Sequence, residues 1–209
     1  MQLLFAGPQQ QRALIRAEIR QDTARLNGIQ TGGGDFYGPF WADVKEHVAG
    51  TGDLVTLCDQ RMDRNSRRER LYPILAQGFL TWWNEHRRWT NEPFEVVRTP
   101  SASFKFNELL TLRVDNFLAV RDAHGINRYI YPYFYEQPAL KNEAARISLW
   151  VFKNAFRALP FENFRILDVS RGQIFSPDRC YLEGDEKNLL TARHKALWDL
   201  YVSIEEGGQ

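Results

Sequence analysis

Two carboxylates stand where strands are expected: Asp115 inside the apolar run Leu112–Val120, and Asp168 inside Phe164–Val169. A buried carboxylate is expensive unless it is paired or faces water, and acids held in strands mark metal or acid–base work. The plainer reading is a salt bridge, with Arg113, Arg128 or Arg165 as partner. A second set is basic. Arg61, Arg64, Arg67, Arg68 and Arg70 crowd into one stretch whose only acids are Asp63 and Glu69. Arginine forks grip phosphate bidentately, so on or before a helix start they would hold a nucleic-acid backbone. Trp82, Trp83 and Trp89 would then stack on bases. A solvated, salt-bridged helix start and a core role for the tryptophans are the plainer readings.

Other chemistry is thinner. His47, His86, His124 and His194 are scattered, and no pair has a metal-ligand spacing. Gly32-Gly33-Gly34-Asp35 would present backbone N–H groups to phosphate. It lacks the Lys-Ser/Thr of a Walker loop, however, and follows a helix rather than a strand, so it reads as a loop. Tyr129, Tyr131, Tyr133 and Tyr135 share one face of an expected strand. They would form either a stacking platform for RNA or, more simply, a surface packed under the next helix.

The elements that must position these residues follow from periodicity. Helices are expected over Gln9–Asn27, Asp43–Ala49 and Pro138–Leu159, and from Glu186 to Glu205, where Gly207-Gly208 would stop the helix. Ser66 and Glu69 have capping-box spacing, and Leu71, Ile74, Leu75, Phe79 and Trp82 continue at helical spacing to about Arg88, but Pro73 either kinks that helix or begins it. Asp53–Asp59 is apolar and ambiguous in type. Strands are expected at Phe94–Arg98, Leu109–Asp122, Ile126–Tyr135, Phe164–Val169 and Gln173–Phe175, with Asp122–Gly125 turning a hairpin. Pro132 argues for an edge or a bulge. The fold expected is α/β (α+β), a mixed central sheet of about four to six strands flanked by helices. Residues 1–90 would form a mainly helical N-terminal segment, and 91–209 a mixed core with a C-terminal helix.

From Leu71 onward this order resembles the core of the PD-(D/E)XK, or restriction-endonuclease-like, nucleases. That resemblance implies a strand Asp followed, on the next strand, by an acidic-x-Lys motif. The two acids would bind a divalent cation that activates water. Asp115 in Arg113-Val-Asp-Asn-Phe matches the first acid, and Glu69 or Glu85 would match a helix acid. The next strand, Ile126-Asn-Arg-Tyr-Ile-Tyr-Pro-Tyr-Phe134, departs from the pattern. It has no acidic-x-Lys, and Arg128 is its one cation. The resemblance therefore implies a catalytically lapsed copy that serves as a binding or regulatory module. The alternative is an active nuclease using Asp115, Glu69 and Asp168 with Mg²⁺. Residues Leu109 to Phe156 also resemble bacterial proteins of unassigned role that share a strand–turn–strand–helix unit.

Composition bounds these readings. The 209 residues carry a net charge of +1 and are 13% aromatic, so nothing global demands a polyanionic partner, and the aromatic surplus suits a well-filled core or a partner interface. A structural or assembly protein is thus a third reading. Arginine accounts for 21 of the 27 basic residues. Cys58 and Cys180 make neither a disulfide framework nor a metal spacing. No apolar run approaches the ~18 residues of a membrane span. Met1–Ala6 is too short for a signal peptide, and the expectation is a cytoplasmic protein with no membrane partner.

Overall fold

A computed structural model describes residues 2–28, 35–90 and 92–206. The Gly32–Gly34 loop, the Asn91 boundary and the Gly207-Gly208 stop lie outside the described residues. Seven α-helices and seven strands are described, in a mixed α/β arrangement.

The amino-terminal half builds one helical layer. After a single turn, α1 (Gln2–Phe5), comes α2 (Pro8–Leu26), with proline in its first turn, where no N–H is needed. Helix α3 (Tyr37–Val48) starts earlier than the apolar pattern suggested and buries Phe40, Trp41, Val44 and Val48 at helical spacing. The ambiguous 53–59 run is helical: α4 (Leu54–Arg64) is capped by the Asp53 carboxylate, which accepts from Thr56 N–H at 2.9 Å. The expected capping box does not form. Asn65, not Ser66, caps the short 3₁₀ turn Ser66–Arg68, because its side chain accepts from Arg67 N–H. The regular helix α5 (Tyr72–Thr81) then starts with Pro73 in its first turn and runs into a π-helical turn, Trp82–His86.

The main sheet has the order β1 (Glu95–Val96), β4 (Leu118–Arg121), β5 (Asn127–Tyr133), β6 (Phe164–Asp168), β7 (Gln173–Phe175). Only β5 and β6 are parallel, and α6 (Asn142–Ala155) connects them. The long strand expected at Leu109–Asp122 is broken. Its first half, β3 (Thr111–Val114), pairs instead with β2 (Ala102–Lys105) in a separate two-stranded sheet. The break is at Asn116, whose φ of 64° is a left-handed conformation that asparagine tolerates better than most residues. Trp41 Nε1 donates to its carbonyl at 2.9 Å and holds the bend. Pro132 sits in a central strand, not at an edge. It lies past Ile130, the last residue paired with β4, so its missing N–H falls where that flank has no partner.

Strand side chains alternate between two cores. Leu118, Val120, Ile130, Leu167 and Val169 pack against α3, α4, α5 and the three tryptophans. Phe117, Ala119, Tyr129, Tyr133, Phe164 and Ile166 pack under α6. The first core unites residues from both sides of position 91. The tyrosine row is therefore mostly a packing surface: Tyr129 and Tyr133 are buried, and Tyr131 lies 5.3 Å from the Phe152 ring. Helix α5 docks backbone to backbone on the turn after β6. A Cβ at Gly78 would fall 2.1 Å from the Val169 carbonyl oxygen, and Gly172, at φ +61°, faces the Gly78 carbonyl. This contact sets the π-turn above the β7 edge. Helix α7 (Glu186–Glu206) closes the chain against α2 and α6. Among the described residues, no helix is long and apolar enough to cross a membrane.

Candidate anion-binding cleft

The arginine-rich stretch is largely committed to the fold. Arg61 donates to both oxygens of buried Asp43, at 3.0 and 2.7 Å, and this bonding raises its already high pKa. Arg70 grips Glu136 in the same forked way, at 3.0 and 2.7 Å. The Arg68 guanidinium lies over the Phe36 and Tyr72 rings, at 5.9 and 5.5 Å. Arg64 and Arg67 stay exposed. Two of the five expected phosphate ligands, Arg61 and the exposed Arg70, are thus ion-paired within the molecule, and a third, Arg68, is half-buried against aromatic rings. Trp82, Trp83 and Trp89 form an aromatic cluster with Phe79 and Phe94.

The three acids do not form a metal site. Asp115 follows β3 and pairs with Arg113, whose Nε donates at 2.6 Å. Asp168 is fully buried at the end of β6, and both its oxygens are taken. Arg171 donates to each, Ser170 Oγ donates to one at 3.0 Å, and Leu140 N–H donates to the other at 3.3 Å. Asp168 takes Arg171 as its partner, not Arg128 or Arg165. Glu69 is exposed beyond the 3₁₀ turn. No group of three or more His, Cys, Asp or Glu among the described residues could hold a metal ion. These donors do not fit the Mg²⁺ pair that the nuclease resemblance implies.

A second group of arginines gathers elsewhere; Arg88, Arg128 and Arg171 have carboxylate partners there, while Arg165 and Arg179 form no ion pair among the described residues. Arg128 is the second residue of β5 and Arg165 the second of its parallel neighbour β6, so the two side chains meet at the same end of the sheet. The π-turn and the segment after it bring His86, Arg88 and Trp89 above them, and the chain leaving β7 adds Ser176, Asp178 and Arg179. Together they enclose a cleft of about 200 Å³. A second cavity, of about 620 Å³, shares His86, Ile174 and Arg179 with the first and continues along β7 to Arg171. The result is a groove beside the edge strand, lined by five arginines.

Its electrostatics favour an anion. Among the described residues Asp178 is the one carboxylate lining the groove. It is held in the charged form mainly by the Ser176 hydroxyl, and it pairs with Arg88 at 3.0 Å. Behind Arg128, buried Asp122 stands 3.7 Å away, too far for a hydrogen bond. Arg128 Nε is buried with no hydrogen-bond partner. Arg165 spends its bonds on the Glu162 and Phe164 carbonyls. Burial pushes its pKa down, and Arg128 and Arg88 push it the same way, while Asp178 and Glu162 oppose them in part. Arginine stays protonated under that pressure, so charge that repels itself is stored in a partly dry cleft. A bound phosphate or carboxylate relieves that repulsion, and guanidinium forks match its geometry.

The sequence marks Arg165 as a salt-bridge candidate and Arg128 as that and as the one cation of its strand, and does not single out Arg88 or Arg179 for the site. The one available signal was an arginine near the start of each of two consecutive strand patterns. Compared with known proteins, the chain matches no family, no curated protein and no solved structure.

Proposed function

We propose that the chain is a nucleic-acid-binding module, nuclease-like in its element order but without metal chemistry of its own, which holds the phosphate backbone in the arginine groove beside β7. The observation that carries this reading is the convergence of Arg128 and Arg165 in one cleft, where Asp122 pairs with Arg128 only at 3.7 Å and no carboxylate among the described residues hydrogen-bonds to Arg165. The absence of an acidic-x-Lys motif on β5 and the engagement of both Asp168 oxygens support a binding role over a catalytic one.

Fluorescence anisotropy with labelled DNA and RNA at several salt concentrations tests it. The wild-type chain binds, and its affinity falls as salt rises. Each lost phosphate contact removes about 0.9 from the logarithmic salt slope, so Arg128→Gln combined with Arg165→Gln lowers the slope by about 2. Arg67→Gln, outside the groove, leaves it unchanged. No binding by the wild type, or an unchanged slope in the double variant, refutes the reading. Mg²⁺-dependent cleavage abolished by Asp115→Asn would replace it with the active nuclease.

A further inference from the structure

We infer that the arginine-bearing face of α2, which borders the end of α7, is a second contact surface for a phosphate backbone, remote from the β7 groove. This rests on the nucleic-acid reading of that groove and extends it to a separate part of the molecule.

Arg12, Arg16 and Arg20 recur every four residues, which aligns them on one face of α2. All three are exposed, and α2 buries only Ile15. Among the described residues none of the three forms a salt bridge or a side-chain hydrogen bond, although α2 also carries Glu18 and Asp22, and Asp22 pairs with Arg25. Like charges at this spacing repel, so the helix holds a row of cations that nothing on α2 neutralises. The opposite wall is the end of α7, where Ile204 and Glu205 help enclose a groove of about 480 Å³. Among the described residues Glu205 is the one acid lining it.

Spacing selects the ligand class. Four residues of α-helix rise about 6 Å, so the row repeats its charge over about 12 Å. A lone phosphate satisfies one or two such groups, whereas a polyanion with regularly repeated charge satisfies all three. The row also lies far from the β7 groove. Helix α7 starts at Glu186, which pairs with Arg146 near the Cys180 end of that groove, and reaches the α2 row at Ser203. At 1.5 Å per residue the separation along α7 is about 25 Å. A long strand or duplex can therefore contact surfaces that a short oligonucleotide cannot reach together.

The full-length chain is titrated with a labelled 30-base-pair duplex and with a labelled pentanucleotide, at 50 and 200 mM salt. Arg12, Arg16 and Arg20 are changed together to Gln, which keeps helix propensity; Arg16→Gln alone gives the graded case. Loss of three contacts lowers the duplex salt slope by about 2 to 3 and weakens duplex binding at least tenfold at 50 mM salt, with Arg16→Gln intermediate. Pentanucleotide binding is unchanged, as is the helical circular dichroism. If the triple variant binds the duplex as the wild type does, while the Arg128→Gln/Arg165→Gln variant loses binding, the α2 surface is refuted and the groove stands. If pentanucleotide and duplex binding fall equally, the row is no separate surface. If the wild type binds neither probe, both readings fall together.

Discussion

Arg61 and Asp43 are locked by two parallel hydrogen bonds, 3.0 and 2.7 Å long, that tie α4 to α3. The carboxylate side chain is 1% exposed and the guanidinium 30% exposed. Removing the arginine leaves Asp43 buried without its counter-charge, a loss worth roughly 3 kcal/mol at the low end of the range for broken buried pairs. Urea unfolding of Arg61→Ala is expected to show a drop of that size, while Arg67→Ala on the exposed turn stays within about 0.5 kcal/mol of wild type. A loss below about 1 kcal/mol in Arg61→Ala would mean that solvent reaches Asp43.

That pair also shows where local sequence stops being informative. Helices α2, α6 and α7 and strands β5, β6 and β7 follow from side-chain periodicity, which is a local property. The break at Asn116 does not, because it depends on Trp41, a residue 75 positions away, holding a carbonyl. Charge behaves likewise. Arg61 and Arg70 look free because their partners, Asp43 and Glu136, lie 18 and 66 residues off. Arg88, Arg128, Arg165 and Arg179 look ordinary because no two are neighbours in the chain. Only the pairing of β5 with β6, and the docking of α5 on the turn beyond β6, gathers them into one cleft.

The α5 docking contact has a direct test. At Gly78 an added Cβ would lie 2.1 Å from Val169 O and 2.9 Å from Ser170 C, both backbone atoms that no rotamer change can clear. Relief requires helix and turn to separate, so Gly78→Ala should cost about 3 kcal/mol, the upper end for overpacking. For a chain of this size that is a fall in melting temperature of roughly 6–12 °C. Gly172→Ala strikes the same contact from the other side, with left-handed strain added, and should also destabilise. An unchanged melting temperature in Gly78→Ala would show that α5 does not sit this close. Because the contact also places His86 and Arg88, Gly78→Ala should weaken anion binding in whatever fraction remains folded.

Alkaline pH probes the core under α6. Tyr133 donates its hydroxyl to the Pro138 carbonyl at 2.5 Å, and its pKa is pushed up to about 12, first by burial and then by the nearby Asp168 carboxylate. Its ordinary value in the unfolded chain is about 10. Between those values the unfolded chain has lost the phenolic proton and the folded one keeps it. The unfolded state then binds fewer protons, and stability falls as pH rises. The contribution is fully present below pH about 10 and is gone once pH passes about 12. Burial raises Tyr37, Tyr72, Tyr131 and Tyr135 as well, so the whole protein should lose stability steeply across this window. Tyr133→Phe removes one of these titrations. It should be about 1 kcal/mol less stable at neutral pH, for the lost hydrogen bond, yet show a shallower decline between pH 10 and 12. Urea midpoints measured at pH 7, 10 and 11.5 decide it: parallel curves for wild type and Tyr133→Phe would mean that Tyr133 titrates as it does in water.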